Sequence, residues 1–171
     1  GYYFSGWSKT PTGSVAYSNS QSVSNLVASG NIDLYAIWKA NNYTVTLNPN
    51  SGTLSATTGW TASGSNATKS YVYGTMLSSL PTPTRTGYTF NGWYTATSGG
   101  TKVTGESMVS SSNKTYYAQW TDSTKPTCTF SGPSPTSIKV GATATYTLKC
   151  TDTAGAEFTD NTISTSDFTQ S

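Results

Sequence analysis

The sequence contains no histidine. That removes the Ser-His and Cys-His nucleophile pairs and the commonest general base. Charge is scarce as well: Asp, Glu, Lys and Arg make up 9% of the chain, against about 25% in an average domain. Residues 1–121 hold two acids, Asp33 and Glu106, both in polar, loop-like stretches. A glycosidase needs a closely spaced carboxylate pair, and this region does not suggest one. No Gly-rich phosphate-binding motif precedes a helix. There are two cysteines, not in a Cys-x-x-Cys arrangement, so a tetrahedral zinc set is not expected. The acids Asp122, Asp152, Glu157, Asp160 and Asp167 could supply oxygen ligands to calcium, but their spacing matches no EF-hand loop. The expectation is a chain without catalytic residues, cofactor or metal.

Other absences bound the partners. The net charge is +2, with no clustered basic stripe of the kind nucleic acid requires. No apolar run approaches 18 residues, so no membrane span is expected. Gly1-Tyr2-Tyr3-Phe4 is not the basic-then-apolar pattern of a secretory leader, which predicts a processed chain or a fragment of a longer one.

What is present is strand and turn chemistry. There are 27 Ser, 33 Thr, five Trp, twelve Tyr and five Phe in 171 residues. Disordered segments are poor in aromatics, so the chain can bury cores, each small and aromatic-rich. Thr, Tyr, Val and Trp favour pleated, half-buried surfaces, and 16 Gly and seven Pro punctuate them. An all-β dominated fold follows. Residues 1–121 carry six bases and two acids, while 122–171 carry three bases and five acids. This split predicts two kinds of module.

An internal repeat organises the chain. Gly1-Tyr2-Tyr3-Phe4-Ser5-Gly6-Trp7 matches Gly87-Tyr88-Thr89-Phe90-Asn91-Gly92-Trp93 at Gly, Tyr, Phe, Gly and Trp. Tyr35-Ala36-Ile37-Trp38 matches Tyr117-Ala118-Gln119-Trp120. The closing Trp falls 31 residues after Trp7 and 27 after Trp93, a four-residue loop insertion in the first copy. Tyr88 and Phe90 alternate with Thr89 and so share a face. Gly92 predicts a bend or close backbone approach, and Trp93 and Trp120 are candidates to meet in one core. The second copy also has an upstream half. Tyr43-Thr44-Val45-Thr46-Leu47 alternates and ends in the turn Asn48-Pro49-Asn50-Ser51-Gly52, which reads as a strand. Thr53–Thr68 reads as a polar excursion, Tyr71-Val72-Tyr73 as a second strand, and Leu77–Leu80 as one helical turn stopped by Pro81 and Pro83. Residues 1–40 then look like the C-terminal half of a unit, unable to bury its own face well.

These motifs, GYTFNGWYT with YYAQW, and upstream YTVTLNPNSGT and LPTPTRTGYTF, resemble the internalin-type B repeat, or Listeria–Bacteroides repeat. The resemblance covers 41–120 fully and 1–38 in part, within modules at 1–40 and 41–121. It implies small β-grasp-like modules, found in tandem in extracellular bacterial cell-surface proteins, where they act as spacers or adhesion elements. No catalytic residue is part of the family pattern. The motif residues expected to build the repeat core are Tyr2, Phe4, Gly6, Trp7, Tyr35 and Trp38 in the first copy. In the second they are Tyr88, Phe90, Gly92, Trp93, Tyr117 and Trp120.

After the polar linker Thr121–Pro126, Cys128-Thr129-Phe130, Ile138-Lys139-Val140 and Ala144–Cys150 alternate. They resemble the opening strands of a bacterial immunoglobulin-like domain, so that residues 122–171 would be its N-terminal part, a partial β-sandwich. Cys128 and Cys150 each fall on the apolar face of a strand, which in a secreted module suggests one disulfide; two buried thiols are the alternative. Lys139 with Asn161 could be imagined as an isopeptide pair.

Three functions fit. The first is a spacer, a stalk or filament segment, with neighbouring repeats of the same or like chains as partners. The second is an adhesin binding a host protein or glycan, recognisable by an exposed patch of Tyr71, Tyr73, Tyr94 and Tyr116. The third is strand-sharing self-assembly through the incomplete first copy.

Overall fold

The computed structural model describes residues 1–55, 58–134 and 145–152. The expectations for Ile138-Lys139-Val140, for Ala144, for the Lys139–Asn161 pair and for Glu157, Asp160 and Asp167 lie outside the described residues. Among those described, every regular element is a strand. The chain divides into two compact units, Gly1–Thr84 with Phe90–Gln119, and Arg85–Thr89 with Trp120–Ser171.

The first copy of the motif forms a two-stranded antiparallel sheet, β1 (Tyr2–Ser8) with β2 (Tyr35–Ala40). The rest of the repeat region forms a six-stranded sheet. Its strands are β3 (Asn42–Asn48), β4 (Thr61–Ser63), β5 (Asn66–Val72), β6 (Tyr88–Tyr94), β7 (Lys102–Val103) and β8 (Lys114–Asp122), in the order β4-β5-β3-β8-β6-β7. β3 lies near the centre, antiparallel to β5 and parallel to β8. Parallel neighbours need a long crossover, and the chain between β3 and β8 provides it. β9 (Thr127–Ser134) and β10 (Thr145–Thr151) form a separate antiparallel pair.

The alternation read in Tyr43–Leu47 explains why β3 is central. Val45 and Leu47 are buried on one side of the strand, each contributing roughly 1.5–3 kcal/mol by leaving water. The turn that ends β3 buries Pro49. It is locked by Asn50, whose N–H donates to Asn48 Oδ1 (2.8 Å) and whose side-chain amide donates to the carbonyl of Ala118 on β8 (3.0 Å). One asparagine thus closes the turn and ties it to the neighbouring strand.

Two segments differ from the sequence expectation. Thr53–Thr68 is not simply an excursion: it contains β4 and the start of β5, paired from Thr61↔Thr68 to Ser63↔Asn66 around Gly64-Ser65. Gly64 has a φ of +62°, which glycine adopts without steric cost. The preceding Trp60 enters the core and packs edge-on to Tyr71, with ring centroids 6.2 Å apart. Leu77–Leu80 makes no helical turn. Ser78 takes a positive φ of 52°, incompatible with a right-handed helix, and the N–H groups of Leu77 and Ser78 donate instead to Ser107 O and Gly105 O. Leu77 is fully buried, and its carbonyl accepts the Tyr71 hydroxyl. The core of the complete repeat is therefore Val45, Leu47, Trp60, Tyr71, Leu77, Trp93, Val103, Val109, Tyr116 and Ala118.

Candidate functional site: the repeated motif and the module exits

The Phe-x-Gly-Trp step builds the same local geometry in both copies. Gly6 and Gly92 have φ of +144° and +133°, a region side chains rarely enter. In β1 the register slips by one residue between Phe4 and Gly6, a β-bulge. The extra residue turns the aromatics onto each other: Phe4 and Trp7 meet edge-to-face at 5.2 Å and 66°, Phe90 and Trp93 at 5.5 Å and 69°. Phe130-Ser131-Gly132 in β9 repeats the device, with Gly132 at φ +136° and a register shift beside it. Trp7 bridges Tyr17 as Trp93 pairs with Val103, both antiparallel. Tyr17 and Val103 hold the same offset from their motifs, so the insertion in the first copy falls after Tyr17.

The motif residues differ in environment. Trp93 is 2% exposed, and its indole N–H donates to Pro81 O at 2.8 Å. Tyr88, Phe90, Tyr117 and Trp120 are half-buried. In the first copy Gly6 is buried, Phe4 and Trp7 are half-buried, and Tyr2, Tyr35 and Trp38 are exposed, Trp38 to 60%. Phe4 still contacts Trp38 edge-on at 5.6 Å. Of the four tyrosines proposed as an adhesive patch, Tyr71 and Tyr116 are buried and Tyr73 and Tyr94 half-buried. Burial raises the Tyr116 phenol above its ordinary range.

The exits from the two copies are built alike. Asn41 N–H, three residues after Trp38, donates to Gly1 O at 2.8 Å; Ser123 N–H, three residues after Trp120, donates to Gly87 O at 3.0 Å. In each case the motif's leading glycine leaves room for the segment downstream. A Cβ on Gly1 would lie 2.3 Å from the Tyr73 ring, and one on Gly87 2.9 Å from Thr124 Cγ2. At the first exit Tyr73 N–H donates to Asn41 O (2.8 Å), and Tyr73 packs edge-on to Tyr2 and Tyr43. At the second exit Thr124 donates its N–H to Asp122 Oδ1 (2.8 Å), and its hydroxyl lies 2.6 Å from that oxygen and 2.8 Å from Asp152 Oδ1. The two Thr124 hydrogen bonds, aided by the Arg85 charge, hold the Asp122 carboxyl below its ordinary range. Arg85 stacks on the Tyr88 ring at 3.6 Å. Sequence reasoning missed both exits because their signal is a backbone bond to a glycine.

Cys128 and Cys150 are register partners in β9 and β10 and form a disulfide across 22 positions. Among the described residues no three His, Cys, Asp or Glu side chains gather as a metal site, and no helix is long and apolar enough to cross a membrane.

A bulge motif, a closing Tyr-Ala-x-Trp and two like exits make this a tandem repeat, and known proteins carry the same unit. Residues 1–37 and 43–119 match the Listeria-Bacteroides repeat domain. The chain belongs to this family. It is also 33% identical over 129 residues to Internalin H of Listeria monocytogenes serovar 1/2a, an alignment that covers 74% of this chain and 20% of that protein. The chain thus spans about a fifth of the curated relative it matches. As an internalin-type repeat segment, it is part of a bacterial surface or secreted protein.

Proposed function

We propose that this Listeria-Bacteroides repeat segment is a non-catalytic spacer, a stalk element of a bacterial cell-surface protein held to the cell wall through other parts of the parent. One observation carries the reading. The first copy passes into the second without a free linker, through the Asn41–Gly1 bond, the Tyr73–Asn41 bond and the Tyr2–Tyr73–Tyr43 ring contacts. A joint fixed by backbone bonds on one side and packed rings on the other resists bending, as a stalk must. Its partners on this reading are neighbouring repeats of the same or like chains, as in other arrays where each unit contacts the next.

The finer architecture belongs to the same proposal, with modules at 1–40, 41–121 and 122–171. In the complete module the first and last strands, β3 and β8, lie side by side and parallel, flanked by β5 and β6. That order supports a β-grasp-like repeat in which the Thr75–Thr84 segment occupies the crossover. The β9–β10 pair with its cross-strand disulfide supports the opening of an immunoglobulin-like sandwich.

The test is a distance distribution. Both native cysteines are paired, so spin labels at Thr10→Cys and Thr97→Cys report on the first joint alone. A single narrow distribution is expected; a broad one removes the stalk reading. The exposed Tyr2, Tyr3 and Trp38 favour a second reading, adhesion to a host protein or glycan. Saturable binding lost on Trp38→Ala would move the case there.

A further inference from the structure

We propose that Met76 and Met108 form a binding site for a soft monovalent cation, copper(I) or silver(I). The site lies wholly within the complete repeat and holds whether or not the segment is a spacer.

The backbone sets the two residues opposite each other. They are partners in an isolated antiparallel bridge. The bridge is closed by the residues beside them: Leu77 N–H donates to Ser107 O at 3.0 Å, and Val109 N–H donates to Thr75 O at 2.9 Å. Met76 and Met108 are therefore a non-hydrogen-bonded pair. In such pairs the Cα atoms stand about 4.5 Å apart and the side chains come closest. Two further bonds brace the segments, Gly74 N–H to Val109 O at 3.2 Å and Ser78 N–H to Gly105 O at 2.8 Å.

Alternation decides where the side chains go. Leu77 and Val109, each next to a methionine, are 0% and 4% exposed and belong to the core. Met76 and Met108 stand together on the outer face, 60% and 57% exposed. Methionine ordinarily fills irregular gaps in a core, and neither side chain fills one here. They are the chain's only two methionines, and the fold brings both to one point of the surface.

That point offers two neutral thioether sulfurs on flexible, unbranched stems, rooted at Cβ atoms about 4.5–5.5 Å apart. Thioethers are soft donors that select copper(I), and silver(I) shares its charge and closed d shell. Two sulfurs approaching from opposite strands can close on one such ion from either side. Calcium and magnesium take oxygen ligands instead, and zinc wants four donors. Other soft donors in the chain are few. It has no histidine, and Cys128 and Cys150 are joined in the disulfide.

The experiment uses the full 171-residue chain with carbon-13 in its methionine methyl groups, titrated with silver nitrate in chloride-free buffer. We expect the two methyl signals to move together and to saturate at one ion per chain. Copper(I), added without air, should shift the same pair, while zinc and calcium nitrates leave both signals in place. Met76→Leu and Met108→Leu are close in volume and sit at exposed positions, so each should keep the amide spectrum of β3 and β8. Each should weaken silver binding at least about tenfold, since a lone thioether leaves the ion without its second soft donor. Methyl signals with separate midpoints, saturation beyond one ion per chain, or affinity unchanged in either leucine variant would each overturn the assignment.

Discussion

Trp7 and Trp93 occupy the same step of the same motif, each after a glycine of like positive φ and each against an edge-on phenylalanine. One is half-buried and the other nearly sealed. Ala36 and Ala118 differ more sharply, exposed in one copy and fully buried in the other. The motif therefore sets local geometry by itself, through a backbone conformation and a ring pair close together in the chain. In the second copy the upstream half adds to it, with Pro81 accepting the Trp93 indole and β3 pairing with β8. A short motif thus repeats its local geometry in two different degrees of burial.

The largest test of this contrast is truncation of the two tryptophans. Trp93→Ala should cost about 3–5 kcal/mol, as large aromatic truncations in packed cores do, with the Pro81 carbonyl left unpaired besides. Trp7→Ala, at a half-buried site, should cost about 1–2 kcal/mol from the smaller apolar area returned to water. Urea unfolding, combined with amide exchange in β3, measures both. Equal costs would mean that the upstream half adds nothing to the motif, and the comparison would fail.

Next in size is the disulfide. Closing 22 positions stabilises by about 3 kcal/mol in the chain-entropy account. Reduction, or Cys128→Ser with Cys150→Ser, should destabilise the β9–β10 pair by about that much. Amide exchange in β3 and β8 should barely change, since both cysteines lie outside the repeat sheet. A matching loss in β3 would show that the repeat sheet depends on the β9–β10 pair for its stability.

Much of this contrast is legible in the residues alone. The repeated Gly-Tyr-x-Phe-x-Gly-Trp marks where the two copies lie, and five alternating residues place β3. Cys128 and Cys150 sit on alternating stretches that could face one another. The features that are not legible have weak side-chain signals. Ser and Thr at eight of its sixteen positions hide β4 within Thr53–Thr68. The Gly64-Ser65 loop, a two-residue hairpin signal, and the lone Trp60 before it are the cues that would reveal the strand. Leu77–Leu80 reads as helical from its two leucines and trailing prolines. Ser78 in a left-handed conformation and the loop at Gly105–Val109 decide otherwise, and a partner so distant in the chain leaves no local trace. The module exits are invisible for the same reason, as backbone bonds to Gly1 and Gly87.

The bulge glycines allow a test in which the less buried copy is the more sensitive. Alanine at either position forces a strained φ, worth about 1–3 kcal/mol. At Gly92 the new Cβ would meet only the Lys102 chain (Cε at 2.5 Å), which can swing away. At Gly6 it would meet Val15 Cγ1 at 2.5 Å and the Tyr17 carbonyl at 2.6 Å, and a backbone oxygen held by the Trp7–Tyr17 bridge cannot. Gly6→Ala should therefore cost more than Gly92→Ala, with exchange at Trp7 and Tyr17 as the readout. The reverse order would mean that the Val15 and Tyr17 contacts give way and do not set the cost at Gly6.

The smallest expected effect separates the copies by chemistry alone. Tyr116 is buried, and its phenol is raised above the ordinary value, near 10; the first copy has Leu34 in its place. The sign depends on which state ionises first. As pH climbs past about 10 the unfolded chain loses the Tyr116 proton while the folded chain still holds it, so folding loses stability from there upward. Below that pH the contribution is fully present. Amide exchange in β8 should accelerate above about pH 10 beyond the intrinsic base-catalysed rise, and Tyr116→Phe should remove the excess. Exchange in β2, beside a leucine that cannot ionise, should show no such excess. An equal alkaline excess in both strands would mean that some other group opens the sheet, and that the buried phenol is not what distinguishes the sealed copy from the open one.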